Sequence, residues 1–81
     1  MEGELQKTLG RNLRRLRESE GMSQEDFADK LGYHRTYLGG VERGERNLTL
    51  RSVERIAILI STDPLYLLKE PGDAAGSSSS K

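Results

Sequence analysis

The arginines in the middle of the chain are the side chains whose type and spacing point to chemistry. They stand at positions 35, 43 and 46, and a threonine and a tyrosine follow the first of them. A planar guanidinium pairs with guanine O6 and N7 through two hydrogen bonds, and it also binds phosphate oxygens. The cluster therefore predicts contact with a nucleic acid. Its members are Arg35, Thr36, Tyr37, Arg43 and Arg46.

The sequence lacks the sets of residues that catalysis or metal binding would require. The chain has one histidine, His34, and no cysteine, so it offers neither a thiolate site nor a set of histidine ligands. It also contains no zinc-protease motif, no phosphate-binding glycine loop and no Ser-His-Asp set. An enzyme is thus the least supported class, and neither a cofactor nor a metal is expected. His34 is expected instead to face a phosphate at the start of a helix.

Length and composition limit the chain to one small helical domain. It has 81 residues, of which 33% are hydrophobic and 5% aromatic, so one core of aliphatic side chains is the most that it can build. No apolar run approaches the roughly 18 residues of a membrane span, and the acidic start is not a signal peptide. Together with the lack of cysteine, this predicts a cytoplasmic protein without a membrane partner.

The charge balance has two opposite implications. The formal net charge is zero, which counts against attraction to a polyanion. The distribution is uneven, however, because five arginines outweigh three glutamates between Arg35 and Arg55. A locally basic segment therefore remains available for a nucleic acid.

Hydrophobic periodicity and capping residues predict three short helices in the first half of the chain. The first ends near Ser19. Ser23 caps the second, which Gly32 ends, and the third starts at His34 and stops at Gly44. Two short helices joined by a tight glycine turn form a helix-turn-helix, which presents its second helix to the major groove. The leucine stripe of the first helix consists of Leu5, Leu9, Leu13 and Leu16.

Two further helices follow a loop at residues 45–48. Thr49 caps the fourth, which runs to about Thr62, and Asp63 caps the fifth with Pro64 at its first position. Residues 1–70 are expected to form one domain that includes the dimerisation surface, and the serine-rich residues 71–81 a disordered tail. The apolar face of the fourth helix consists of Leu50, Val53, Ile56, Ala57 and Ile60.

The segment GMSQEDFADKLGYHRTYLGGVERGERNLTLRSVERIAILI, preceded by LGRNLRRLRE, resembles the lambda-repressor-like (XRE, Cro-type) helix-turn-helix family over about residues 5–70. It looks most like the controller proteins of restriction-modification systems, which typically carry an Arg-Thr-Tyr or Arg-Ser-Tyr triplet where this sequence has Arg35, Thr36 and Tyr37. The resemblance implies an all-α, five-helix domain and a bacterial transcription regulator, such as a repressor, which is associated with the nucleoid when bound to DNA. It also implies that Gln24 grips a phosphate and that Arg17 and Glu42 form a structural ion pair between the first and third helices.

Most candidate DNA contacts have an alternative, and that of Gln24 is an ordinary exposed helix residue. Arg35 is expected to recognise guanine, and Thr36 to bind a phosphate or a thymine methyl. Tyr37 would lean on the sugar-phosphate edge or a deformable base step, or would be half-buried packing. Arg43, Arg46 and Asn47 would reach phosphates, or in the case of Arg46 a base edge. For Arg43, Arg46 and Asn47 the alternative is solvated surface.

Two glycines inside the third helix affect the expected mode of recognition. Gly39 and Gly40 each cost roughly 1 kcal/mol relative to alanine. Without side chains there, the helix would approach DNA closely but with few groups for direct base contacts. We therefore expect recognition to depend strongly on DNA shape.

Apolar residues late in the chain predict a dimer. Ile58 lies off the core stripe, and with Leu59, Leu65 and Tyr66 it would form a two-fold interface, although Leu59 and Leu65 would equally complete the monomer core. The leading hypothesis is a homodimer on an inverted-repeat operator in double-stranded DNA, which represses by covering the promoter or activates by touching RNA polymerase. The alternative is a protein-interaction module such as an antitoxin or adaptor, favoured by the zero net charge.

Overall fold

The structure, a computed structural model, describes residues 3–70. Within that range it contains five α-helices and no strand, which confirms the predicted all-α architecture. The helices of residues 3–70 are all too short or too polar to span a membrane. The predicted tail at residues 71–81 lies outside the described range. The helices are α1 (Glu4–Ser19), α2 (Gln24–Leu31), α3 (Arg35–Glu42), α4 (Leu50–Leu59) and α5 (Pro64–Leu67).

The predicted capping residues begin three of these helices. The side chains of Ser23, Thr49 and Asp63 each accept a hydrogen bond from a backbone N–H of the turn that follows. Such caps satisfy donors that have no acceptor within the helix. The predicted end of α4 near Thr62 is wrong, because Ser61 adopts a left-handed φ of 55° and the helix stops at Leu59.

Every helix contributes to one hydrophobic core. α1 packs against α3 and α5, α2 packs against α3 and α4, and α4 packs against α5. A large aliphatic side chain that is fully buried in such a core stabilises the fold by about 1.5–3 kcal/mol, because its apolar surface is removed from water. One fully buried residue from each helix meets in this core: Leu13, Leu31, Leu38, Ile56 and Leu67.

The predicted apolar stripes do not stay buried to the ends of their helices. Leu5 is 62% exposed and Leu50 is 75% exposed. Both lie in the first turn of a helix, where no other element of the described chain covers them. They flank an open apolar groove whose floor includes Leu9 and Val53. Periodicity placed these leucines on the correct face, but burial depends on what packs over that face.

A glycine in α1 sets the distance between α1 and α3. A Cβ atom added at Gly10 would lie 2.3 Å from the carbonyl oxygen of Val41 and 2.6 Å from that of Glu42. The two helices therefore meet backbone to backbone, and only glycine fits at the crossing. This contact fixes the second half of α3 against α1 and was not predicted from the sequence.

A buried amide ties α5 to α1. Asn12 is 5% exposed, and its Nδ2 donates to the carbonyl oxygens of Leu67 at 2.7 Å and Lys69 at 2.8 Å. Nearby, Arg11 donates to Glu70 at 3.1 Å. The bonds from Asn12 satisfy carbonyl groups at the end of α5 and just beyond it, which the helix itself leaves free.

Candidate nucleic-acid interface

The turn between α2 and α3 depends on Gly32. This residue ends α2 with a left-handed φ of 80°, which glycine adopts at little cost. The backbone N–H of Tyr33 then donates to the carbonyl of Ala28 at 2.8 Å, and His34 is extended. α3 begins at Arg35, one residue later than the sequence predicts. The two helices and their short turn form the expected helix-turn-helix.

The two halves of α3 have opposite surroundings. Arg35 and Thr36 are exposed and Tyr37 is half-buried, whereas residues 38–42 are all buried. The side chain of His34 is exposed and makes no capping hydrogen bond. The first N–H groups of α3 are therefore open to an anion such as a phosphate. Within α3, only the side chains of the first turn are therefore exposed, and the rest of the helix is buried.

The glycines of α3 accommodate arginine side chains of this same chain. A Cβ atom at Gly40 would lie 3.3 Å from Cγ and Nε of Arg46, and one at Gly39 would lie 3.2 Å from Nη1 of Arg43. The expectation that these glycines expose a bare helix to DNA is wrong, because side chains from the helix end and the following loop lie over both. The glycines instead let Arg43 and Arg46 fold back onto α3.

The loop after α3 holds three of the predicted contact residues near the helix. Arg43 pairs with Glu45 at 3.2 Å, and both side chains are more than half exposed. Such exposed pairs contribute roughly 0–1 kcal/mol, so a phosphate can displace the glutamate. Asn47 is exposed, and within residues 3–70 its side chain makes no hydrogen bond to the protein.

Arg17 and Glu42 form a two-point ion pair between α1 and α3. Nε of Arg17 lies 2.7 Å from Oε2 of Glu42, Nη2 lies 3.1 Å from Oε1, and the two side chains are 13% and 3% exposed. Arg17 also donates to the carbonyl of Met22 at 3.0 Å. Gln24, at the start of α2, donates through Nε2 to Oε1 of Glu42 at 2.9 Å. One of the two amide hydrogens of Gln24 is thus used internally, and one is left for a phosphate.

A row of arginine and tyrosine side chains was missed by the sequence analysis. The guanidinium carbon of Arg46 lies 5.2 Å from the ring centre of Tyr37, and the rings of Tyr37 and Tyr33 are 4.8 Å apart at 51°. The guanidinium carbon of Arg55 lies 5.0 Å from the ring centre of Tyr33. The four residues are here called the arginine-tyrosine row. The two tyrosines stand four residues apart, a spacing at which side chains meet, but the two arginines come from other elements, and no local spacing indicated that they join the tyrosines.

The residues predicted to form a dimer interface are exposed. Ile58 is 76% exposed, Leu65 72%, Tyr66 53% and Leu59 40%. The alternative that Leu65 completes the monomer core is therefore wrong, and Leu59 is only partly covered. Together these four residues are here called the α4–α5 apolar surface.

Comparison with known proteins agrees with this architecture. A helix-turn-helix family model matches residues 13–67. The control protein C.SmaI of Serratia marcescens is 39% identical over 69 residues, which cover 85% of this chain and 82% of that protein.

Two solved structures are similar in both fold and sequence. A hypothetical transcription factor from Neisseria superposes with a TM-score of 0.79 at 34% identity, covering 88% of this chain and 82% of its own. The restriction-modification controller protein C.AhdI of Aeromonas hydrophila superposes with a TM-score of 0.68 at 40% identity, covering 76% and 94%. The chain therefore belongs to the lambda-repressor-like (XRE-type) helix-turn-helix family of DNA-binding transcription regulators, whose members are not enzymes.

Proposed function

We propose that this chain is a sequence-specific regulator that binds an inverted-repeat operator as a homodimer, with the first turn of α3 in the major groove. The observation that carries the proposal is the contrast within α3. Arg35 projects from the exposed turn and has no ion pair among residues 3–70, while the following half of the helix is locked against α1. A rigid helix with a free guanidinium at its open end suits direct recognition of guanine.

The other candidate residues supply contacts to the DNA backbone. His34 and Thr36 flank Arg35 at the open N-terminus of α3, where backbone N–H groups favour a phosphate. Gln24 offers its second amide hydrogen from the start of α2, and the exposed side chains of Arg43 and Asn47 lie at the other end of α3. Phosphate contacts of this kind position a protein on the duplex without selecting a sequence.

Tyr37 and Arg46 act as one unit in this interface. The cation–π contact holds the guanidinium of Arg46 beside the tyrosine ring. Both side chains lie next to the exposed turn, where the pair suits a deformable base step or a narrowed groove. This supports a contribution of DNA shape to the choice of operator.

The α4–α5 apolar surface supports the homodimer. An exposed cluster of large apolar side chains on a small domain marks an interaction surface, because leaving it in water forfeits the free energy of burial. A two-fold axis through this surface would pair two copies and place their two α3 helices on the same side of the dimer. If these helices lie about 34 Å apart, they enter two successive major grooves on one face of the DNA. The operator would then be an inverted repeat.

Arg35→Ala tests the recognition step. Operators are selected from a random DNA pool with the wild-type protein, and binding to the selected and random duplexes is measured for both proteins. We expect a loss of about 1–3 kcal/mol, equivalent to about 5-fold to 150-fold, on the selected site and relaxed preference at one base pair of each half-site. Arg15→Ala, which removes the same charge from the exposed face of α1, is the matched control. Equal loss on selected and random DNA would refute the role of Arg35.

Ile58→Lys tests the dimer. Sedimentation at tens of micromolar should show a wild-type dimer and a weakened dimer in the variant, because the lysine charge would be buried at the interface. Leu50→Lys is the matched control, since Leu50 is equally exposed on the same helix but lies in the groove beside α1. A wild-type protein that remains monomeric under these conditions contradicts the proposal.

A further inference from the structure

The arginine-tyrosine row has a cation at each end. The guanidinium of Arg46 stacks on the ring of Tyr37 at one end, and that of Arg55 stacks on the ring of Tyr33 at the other. The two tyrosine rings are in contact between them. Arg46 belongs to the loop after α3, whereas Arg55 belongs to α4. The row therefore runs beside the exposed turn of α3 and connects the end of the helix-turn-helix to α4.

Arg55 is held in place but has no acid partner. Its side chain is exposed, and within residues 3–70 it forms neither an ion pair nor a side-chain hydrogen bond. By contrast, Arg11, Arg14, Arg17 and Arg43 each pair with a glutamate. A guanidinium stacked on an aromatic ring keeps the N–H groups at its edge free for an anion. Because the stack already restricts its rotamers, binding that anion costs less entropy.

Tyr33 places Arg55 close to the exposed turn of α3, so a ligand bound by that turn would also lie near Arg55. Tyr33 lies in the turn between Gly32 and His34, directly before the exposed turn of α3. A duplex that accepts this turn in its major groove presents one phosphate strand on each side of the groove, about 12 Å apart. Arg55, at the Tyr33 end of the row, suits contact with one of these strands.

We propose that the DNA interface continues along the arginine-tyrosine row onto α4, where Arg55 binds a backbone phosphate and Tyr33 positions its guanidinium. This inference rests on the proposed DNA-binding function and adds a contact to it. Arg55 touches the ligand, whereas Tyr33 acts through Arg55. The ligand chemistry is a phosphodiester of double-stranded DNA, so the contact adds affinity without selecting a base.

Arg55→Ala tests the phosphate contact through the salt dependence of binding. Fluorescence anisotropy on the selected operator and on random duplex is measured over a series of salt concentrations. We expect about tenfold weaker binding on both duplexes and a decrease of about 1 in the slope of log affinity against log salt. Arg15→Ala again controls for the change in net charge, and circular dichroism verifies the fold. An unchanged slope and affinity in Arg55→Ala overturn the inference.

The outcome for Arg35→Ala separates this inference from the proposed function. If the wild-type protein binds a selected operator and Arg35→Ala loses specificity while Arg55→Ala behaves as wild type, the proposed function stands and the Arg55 contact is wrong. If the wild-type protein binds no duplex, both are wrong.

Tyr33 is tested by replacing its ring in two ways. Tyr33→Phe keeps the aromatic face and should bind DNA as the wild type does, whereas Tyr33→Leu should lose affinity. In an Arg55→Ala background, Tyr33→Leu should have a smaller effect, because both changes remove the same contact. Fully additive losses, or an equal loss in Tyr33→Phe and Tyr33→Leu, contradict the positioning role.

Discussion

Gly10→Ala is expected to destabilise the fold, although alanine is the better helix former. On helix propensity alone, the change inside α1 would stabilise the protein by about 1 kcal/mol. The added Cβ, however, would lie 2.3 Å from the carbonyl oxygen of Val41 and 2.6 Å from that of Glu42. A carbon normally lies about 3.3 Å or more from a carbonyl oxygen. The two helices would therefore have to separate by about 1 Å at their crossing.

The expected magnitude follows from the atoms that the methyl group meets. Inserting a carbon into a packed region costs about 1–3 kcal/mol, and the upper end applies here because backbone atoms cannot rotate away. After subtraction of the propensity gain, we expect a loss of about 2 kcal/mol. For a domain of this size, that lowers Tm by about 10 °C.

Gly39→Ala is the matched control, because Gly39 also lies inside a helix with an unremarkable φ. A Cβ there would be 3.2 Å from Nη1 of Arg43 and no closer than 3.8 Å to the Gln24 side chain. The Arg43 side chain is 61% exposed and free to move, so the propensity gain of up to about 1 kcal/mol should remain.

Urea unfolding followed by far-UV circular dichroism measures both changes on one scale. The same chemical change should thus lower stability at one glycine and raise it at the other. A Gly10→Ala protein as stable as the wild type, or more stable, would refute the backbone contact between α1 and α3.

Three further contacts are tested by substitution, each followed by urea unfolding. Glu42→Ala should lower the free energy of unfolding by about 3–5 kcal/mol, because it leaves the largely buried guanidinium of Arg17 without its carboxylate. Glu45→Ala, which breaks the exposed pair with Arg43, is the control and should change stability by less than about 1 kcal/mol, so equal losses in the two variants would contradict this reasoning. Asn12→Ala should cost about 1–3 kcal/mol through the unpaired carbonyls at the end of α5, and a neutral effect would mean that water replaces the amide there. Ser23→Ala should cost about 1 kcal/mol by removing the cap of α2, and Ser23→Asp should restore most of it; failure of the aspartate would argue against capping.

The sequence was sufficient for those parts of the site that depend on neighbouring residues. Ser23, Thr49 and Asp63 begin helices because each side chain bonds a backbone N–H only two or three residues away. Gly32 ends α2 for an equally local reason. The order of helices, the turn and the place of Arg35 at the start of α3 were therefore predictable, and the resemblance to a known family identified what that arrangement is used for.

Contacts between distant segments were decided by the tertiary structure. Leu50 belongs to an apolar stripe but is exposed, because no element crosses over the first turn of α4. Gly40 lies under Arg46 rather than open to DNA, since the following loop folds back onto α3. Tyr33 and Arg55 meet only once α4 is packed beside the turn.

Periodicity and caps therefore determined the helices and the order in which they follow one another, because those preferences arise within one or two turns of chain. Which faces are covered, how closely α1 approaches α3 at Gly10 and which arginines remain without an acid depended on the docked helices. The physical reason is that a side chain's exposure and partners are properties of the space around it, which residues far apart in the sequence fill.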